Sequence, residues 1–232
     1  MPFFYYFDPT YFLELIGVIL SLAASAKVKS TYARYSKERS MSGMTGEEAA
    51  RRILSRAGIY DVQVQRVAGN LTDHYDPRNK TLKLSDTVYG NASVAAVGVA
   101  AHECGHAIQH DRGYVPLKIR SVIAPVASFG AQISWPLILV GLLLGGSGVL
   151  IQLGILLFSL AVLFQLITLP VEFNASNRAV ALLSETGILQ QEELQKTKKV
   201  LSAAALTYVA AAASSILQLL RLVLLFGNRR RD

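Results

Sequence analysis

Ser121–Leu144 contains no charged residue, and after Gly145-Gly146-Ser147-Gly148 neither does Val149–Leu169. Each run is long enough to cross a bilayer as a helix, because about 20 apolar residues span the hydrocarbon core. The glycine-rich connection between them is tight, so the pair reads as a transmembrane hairpin with almost no outer loop. Pro125, Gly130 and Pro136 are tolerable in such helices. A hairpin returns the chain to the side it left. The segments before Ser121 and after Leu169 therefore share one compartment and one membrane surface.

Two further segments are apolar. The first, Tyr11–Ala26, is short for a span, but the aromatic stretch Phe3–Phe7 can lengthen it at the interface. Ala24-Ser25-Ala26 resembles a signal-peptide cleavage site. However, the positive charges follow the apolar stretch (Lys27, Lys29, Arg34, Lys37 and Arg39) rather than precede it, which favours an uncleaved anchor with its N-terminus outside. The second, Val200–Leu220, is Ala-rich and precedes a basic tail, Arg221–Asp232. The composition agrees with a membrane protein: 52% hydrophobic residues, 17% charged, mean hydropathy +0.36. A net charge of +7 can mark nucleic acid or a membrane surface. No nucleic-acid motif is present, and the apolar runs decide for the lipid bilayer as partner. Cys104 is the single cysteine, so no internal disulfide exists.

The polar segments read as α+β, mainly α-helical. Thr45-Gly46-Glu47-Glu48 has the pattern of a capping box, starting a helix that ends near Gly58. Val62, Val64 and Val67 suggest a strand. Asp76-Pro77-Arg78-Asn79 is a turn between Asn70–Tyr75 and Lys80–Ser85, giving a β-hairpin. The next helix begins near Asn91 or Ser93, continues through Gln109, and is ended by Gly113 and Pro116. The organisation is therefore an anchor over 1–26, a first catalytic piece over 27–120, the hairpin over 121–169, and a second catalytic piece over 170–232.

That helix carries His102-Glu103-Cys104-Gly105-His106, an H-E-x-x-H pattern. Residues four apart share a helix face, so His102 and His106 can offer two imidazoles to one Zn2+. Zinc lowers the pKa of a bound water toward about 7 and polarises a peptide carbonyl. Glu103 stands beside the metal as the general base that takes the water's proton and passes it to the leaving amine. The bland alternative is two core histidines satisfied by hydrogen bonds. Cys104 points away from the ligand face and reads as a small packing residue.

A catalytic zinc needs a third protein ligand and one open position. His110 continues the face, and His74 lies on the hairpin; either could approach. Glu172 is the better choice. A carboxylate where the chain leaves the membrane must be solvated, paired or metal-bound, and the hairpin returns it to the side of His106. The competing reading is an acid at a helix N-terminus. Glu185, Glu192 and Glu193 sit among Lys196, Lys198 and Lys199 and read as a solvated face.

These residues resemble the YugP-type family of bacterial membrane zinc metallopeptidases, through Leu71–Arg78, Leu84-Ser85, Val97–Gln109 and the Glu172 segment. The likeness covers nearly the whole chain. A more distant likeness is to HtpX-like peptidases, whose third ligand opens an E-x-x-x-D pattern. The resemblance implies one zinc per chain held by His102, His106 and Glu172, within a gluzincin-like domain. The position of that pattern's acid is Ser176, a departure; Ser176 or Asn177 is left to hydrogen-bond a ligand. The resemblance also implies a short sheet beside the active-site helix. Its edge strand would be Lys80–Ser85, with Leu82, Lys83 and Leu84 pairing an extended substrate.

The sequence thus reads as a multi-pass zinc endopeptidase of the bacterial plasma membrane, acting on proteins in or near the bilayer. The rival is a non-peptidase scaffold, or a structural zinc protein, of the same fold. Partner chains, including a second copy, are not derivable. The positive-inside rule puts the active site in the cytoplasm. Crossing by Val200–Leu220 would leave Arg229–Arg231 outside. The expected arrangement is therefore three spanning helices, with the fourth packed on the catalytic domain and Leu217–Phe226 touching the membrane surface.

Overall fold

The computed structural model describes residues 8–227. The aromatic stretch Phe3–Phe7 and the tail Arg229–Arg231 lie outside them. Six helices and three strands follow in order: α1 (Tyr11–Tyr35), α2 (Gly46–Arg56), β1 (Gln63–Val67), β2 (His74–Asp76), β3 (Thr81–Ser85), α3 (Val94–Asp111), α4 (Val115–Leu143), α5 (Gly148–Glu185) and α6 (Gln191–Phe226). They form two compact units. One takes the chain up to Ala24, Ile119–Leu169 and the residues from Thr207; the other takes Ser25–Lys118 and Pro170–Leu206. The expected piece 170–232 is therefore divided at Leu206.

The second unit has the larger apolar core. α2 starts as its sequence dictates. The Thr45 hydroxyl accepts from Glu48 N (3.2 Å), and the Glu48 carboxylate accepts from Thr45 N (2.8 Å). Its buried face is Ala49, Ala50, Ile53 and Leu54. α3 is capped by Ser93, whose Oγ accepts from Ala96 N. Nearly every residue from Val94 to Gln109 is buried. Ala95, Ala96, Ala100 and Ala101 are small enough to let neighbours close on all sides. Gly113, at φ +64°, ends the turn after α3. Pro116 falls in the first turn of α4 instead of closing α3, at a place where its missing N–H costs no helical hydrogen bond.

The sheet corrects one expectation. Its order is β1-β3-β2, with β1 parallel and β2 antiparallel to β3. Lys80–Ser85 thus holds the central strand, not the edge. Leu82 and Leu84 are fully buried, and His74↔Lys83 and Tyr75↔Leu82 are already paired positions. Beyond β2, the Asp73 carboxylate accepts from Ser85 N (2.7 Å) and Ser85 Oγ (2.9 Å). β3 therefore has no free edge for a substrate.

The other unit is made of apolar helical segments. In α4 and α5 small residues allow close approach, the usual mode of packing where lipid removes the hydrophobic drive. A Cβ on Gly154 would lie 2.6 Å from Ile138 Cγ1, and one on Gly130 would lie 3.0 Å from Leu157 O. Large apolar side chains such as Phe129, Leu143, Val149 and Leu156 are exposed.

Four helices, α1, α4, α5 and α6, are long and apolar enough to cross a membrane by length and composition. Val200–Leu220, expected to pack on the catalytic domain, lies within the last of these. From Thr207 onward α6 belongs with the apolar segments rather than with the second unit. Ser214 Oγ donates to Gly17 O (2.8 Å). Arg221, the charge that stands within this run, meets Glu14 (2.9 Å) and Thr10 (3.2 Å) and lies over the Tyr11 ring. A paired arginine weighs less against an apolar setting than a free one.

Candidate metal centre

His102 and His106 project from one face of α3, their rings edge to face with centroids 4.8 Å apart. Glu172 comes from α5. Its Oε2 lies 3.3 Å from His102 Nε2 and 3.5 Å from His106 Nε2. One donor atom from each residue falls within 4.8 Å of the other two. Bonds of about 2.0–2.1 Å at tetrahedral angles put neighbouring donors about 3.3–3.4 Å apart, which matches both contacts to the carboxylate. Two nitrogens and one carboxylate oxygen also form a donor set that suits zinc.

The other ring nitrogens are held by protein. His106 Nδ1 meets Gln109 Oε1 at 3.0 Å, and His102 Nδ1 meets the Ser176 hydroxyl at 3.1 Å. Gln109 is fully buried. Its Nε2 donates to Val171 O (2.8 Å) and Asn174 Oδ1 (3.0 Å). A carbonyl oxygen can only accept, so the amide nitrogen must face Val171 and the amide oxygen must face His106. His106 therefore donates from Nδ1, and in the neutral ring Nε2 is left as a lone pair aimed at a carboxylate. Two acceptors 3.5 Å apart need a cation or a proton between them.

The electrostatics say the same. Burial pushes the Glu172 carboxyl up, but hydrogen bonds and charge from the two imidazoles outweigh it and hold the group far below the usual carboxylate range. Burial pushes His106 down, yet the Glu172 hydrogen bond and the Glu103 and Glu172 charges leave it raised. The cluster is built to bind positive charge. Glu103 is 7% exposed. Among the described residues, no side chain or backbone group donates a hydrogen bond to its carboxylate.

Gly105 explains how two helices come this close. A Cβ there would stand 2.6 Å from Ala175 O, so α3 can touch the α5 backbone between Glu172 and Ser176 only with glycine.

The remaining expected residues are placed as follows. Ser176 meets His102 of the cluster; Asn177 is exposed and meets none of its residues. His74 is exposed, with Nδ1 2.9 Å from Thr72 O. His110 Nδ1 bonds the Tyr75 hydroxyl at 2.9 Å. Neither His74 nor His110 belongs to the cluster. Glu172 stands deep inside α5, after Pro170, so the helix-N-terminus reading fails. Glu193 is not solvated: it is buried and accepts from Met41 N (2.7 Å) and Gln190 N (2.8 Å). Cys104 is buried, with Sγ 3.6 Å from Ala50 O and its thiol pushed up by burial. Gln109 and Asn174 were missed. The available signal was a polar residue three positions after His106 in an otherwise apolar or small run.

The family model described as "Putative neutral zinc metallopeptidase" matches residues 10–227. The chain belongs to this family. It is also 52% identical over 221 residues to the protein named "Putative membrane protease YugP" of Bacillus subtilis (strain 168), covering 95% of this chain and 98% of that one. No solved structure matches it. The candidate metal cluster thus lies in one compact unit, on two helices distant in sequence.

Proposed function

We propose that the protein is a membrane zinc endopeptidase, with one metal held by His102, His106 and Glu172 and with Glu103 as general base. The observation that carries this reading is the Nε2–Oε2 geometry of the cluster, with the Glu103 carboxylate buried and near enough for its charge to act on His106. Zinc held there supplies Lewis acidity toward a peptide carbonyl and toward water. Gln109 and Ser176 fix the two rings so that both Nε2 atoms face inward. Glu103 accepts the proton of the attacking water as the new C–O bond forms. It returns that proton to the amine nitrogen as the C–N bond breaks. Three protein donors rather than four favour a catalytic over a structural zinc.

An extended substrate would pair with a free sheet edge. With β3 enclosed, the edge beside α3 is β2, which is tied to that helix by the Tyr75–His110 bond. The domain type is gluzincin-like, on the strength of the third ligand being a glutamate. Membrane crossing by α1, the α4–α5 hairpin and α6 puts Lys27–Arg39, Lys118, Arg120 and Lys196–Lys199 on one side. Positive charge makes that side the cytoplasm, the compartment of the active site. Substrates are then proteins in or near the inner leaflet.

Glu103→Gln decides the mechanism. The variant keeps one zinc per chain by elemental analysis and loses about 10²-fold or more of its proteolysis of a denatured protein. Normal proteolysis with zinc intact rules the general base out.

A further inference from the structure

A cleft of about 490 Å³ opens between α1 and α6 within the same unit as the metal cluster. α1 contributes Lys27, Ser30, Thr31 and Arg34, spaced i, i+3, i+4, i+7. α6 contributes Lys199, Ser202, Ala203 and Leu206 at the same spacing. This is the spacing by which two helices usually bury apolar side chains against each other. Here it carries three cations and three hydroxyls, and no carboxylate lines the cleft. Nearby Lys196 shows the contrast, since it is paired with Glu38 at 2.8 Å and Glu192 at 3.1 Å. Among the described residues, Lys27, Arg34 and Lys199 have no acidic partner. Three like charges in one cleft repel unless an anion joins them.

The place of the cleft along the chain narrows the choice of anion. Lys27 lies three residues after Ala24, where α1 leaves the apolar unit, and Leu206 immediately precedes Thr207, where α6 enters it. If both helices span, that is the depth of lipid headgroups. We propose that this cleft binds the phosphate headgroup of an anionic phospholipid. Arg34 offers a planar fork for two phosphate oxygens, and Lys27 and Lys199 act as point charges. Thr31 and Ser202 supply hydroxyl donors, the Ser30 hydroxyl being already given to Lys27 O (3.0 Å), and Leu206 meets the first acyl carbons. The inference rests on the reading that α1 and α6 cross the membrane.

The test is lipid retention by the purified full chain in detergent micelles, read by native mass spectrometry. The probes are phosphatidylglycerol and phosphatidylcholine. Wild type retains one phosphatidylglycerol and little phosphatidylcholine. In Lys27→Gln/Arg34→Gln/Lys199→Gln retention falls about fivefold for each charge removed, on the order of 100-fold in all. Lys27→Arg/Lys199→Arg, which conserves charge and helix propensity, keeps it, and the single Lys199→Gln gives the fivefold step if the triple variant does not fold. Equal retention in wild type and the Gln variants overturns the proposal. So does displacement of the lipid by equimolar inorganic phosphate, which would make the ligand a soluble phosphate. Tighter binding of a poly-glutamate peptide than of the lipid also overturns it, in favour of an acidic polypeptide. Retention in micelles is independent of proteolysis and of which side the site faces, so failure of the peptidase reading leaves this result standing.

Discussion

α3 and the stretch of α5 from Val171 to Arg178 supply one cluster by different means. In α3 the two imidazoles are set by helical geometry alone: four residues apart, one face, one turn. Their spacing survives anything that leaves the helix intact. The α5 stretch supplies a single oxygen whose position depends on packing. Gly105 against Ala175 sets the helix separation, and Gln109 pins the carbonyl of Val171, one residue before Glu172. The first arm is local and robust. The second is tertiary, and the cluster is only as good as that contact.

Changes to the ligands themselves have the largest effect on either arm. Glu172→Ala and His102→Ala should each reduce zinc affinity beyond the roughly 100-fold ceiling for residues that only orient a ligand, as measured by chelator competition. Retention of tight zinc by Glu172→Ala would show that the α5 arm is not part of the site.

Gly105→Ala attacks the packing without touching a ligand. The added methyl must displace backbone at 2.6 Å. We expect about 1–3 kcal/mol of lost stability, with zinc affinity falling as α3 and α5 separate. An unchanged thermal unfolding midpoint would refute the close contact.

Gln109→Met removes the tie between the arms. It leaves His106 Nδ1 and Val171 O without their present partner. The expectation is a 10- to 100-fold loss of zinc affinity and a shift of the His106 tautomer visible in nitrogen NMR. Ser176 should matter less, because it holds one ring and is only half-buried. Ser176→Ala should cost zinc affinity about tenfold or less, and Ser176→Asp should be tolerated, its carboxylate accepting from His102 Nδ1. Smallest of all, His110→Ala should leave zinc content unchanged while removing the bond to Tyr75.

The same division governs what the sequence disclosed. The juxtaposition of His102 and His106 was legible because their relation is written in near-consecutive residues. So were the Thr45 cap and the β2–β3 hairpin, each a matter of a few neighbouring positions. Glu172 was reachable by one topological step, since a hairpin must return its chain. The central position of β3 was not legible. A strand reading from alternation cannot say that β1 will add in parallel on the far side, because that pairing is a long-range choice. Gln109 was hidden for a related reason. Its partners Val171 and Asn174 lie 62 and 65 residues away, and a buried amide looks like any polar residue until they are known. The contacts of α6 were hidden in the same way: Arg221 meets the acids Asp8 and Glu14 near the other end of the sequence.

Those acids bear on how the protein is made. Glu14 is synthesised within the first apolar segment, and its partner Arg221 follows 207 residues later. Until then the first helix holds a carboxylate with its arginine still unmade. Ser21 likewise waits for Ser214, 193 residues on. The first helix to leave the ribosome is therefore among the last to be completed. Its pairing with α6 closes the apolar unit only when synthesis is nearly over. A chain truncated before Arg221 can still contain every residue of the candidate metal cluster. It would nevertheless leave Glu14 without the arginine that it meets in the finished chain.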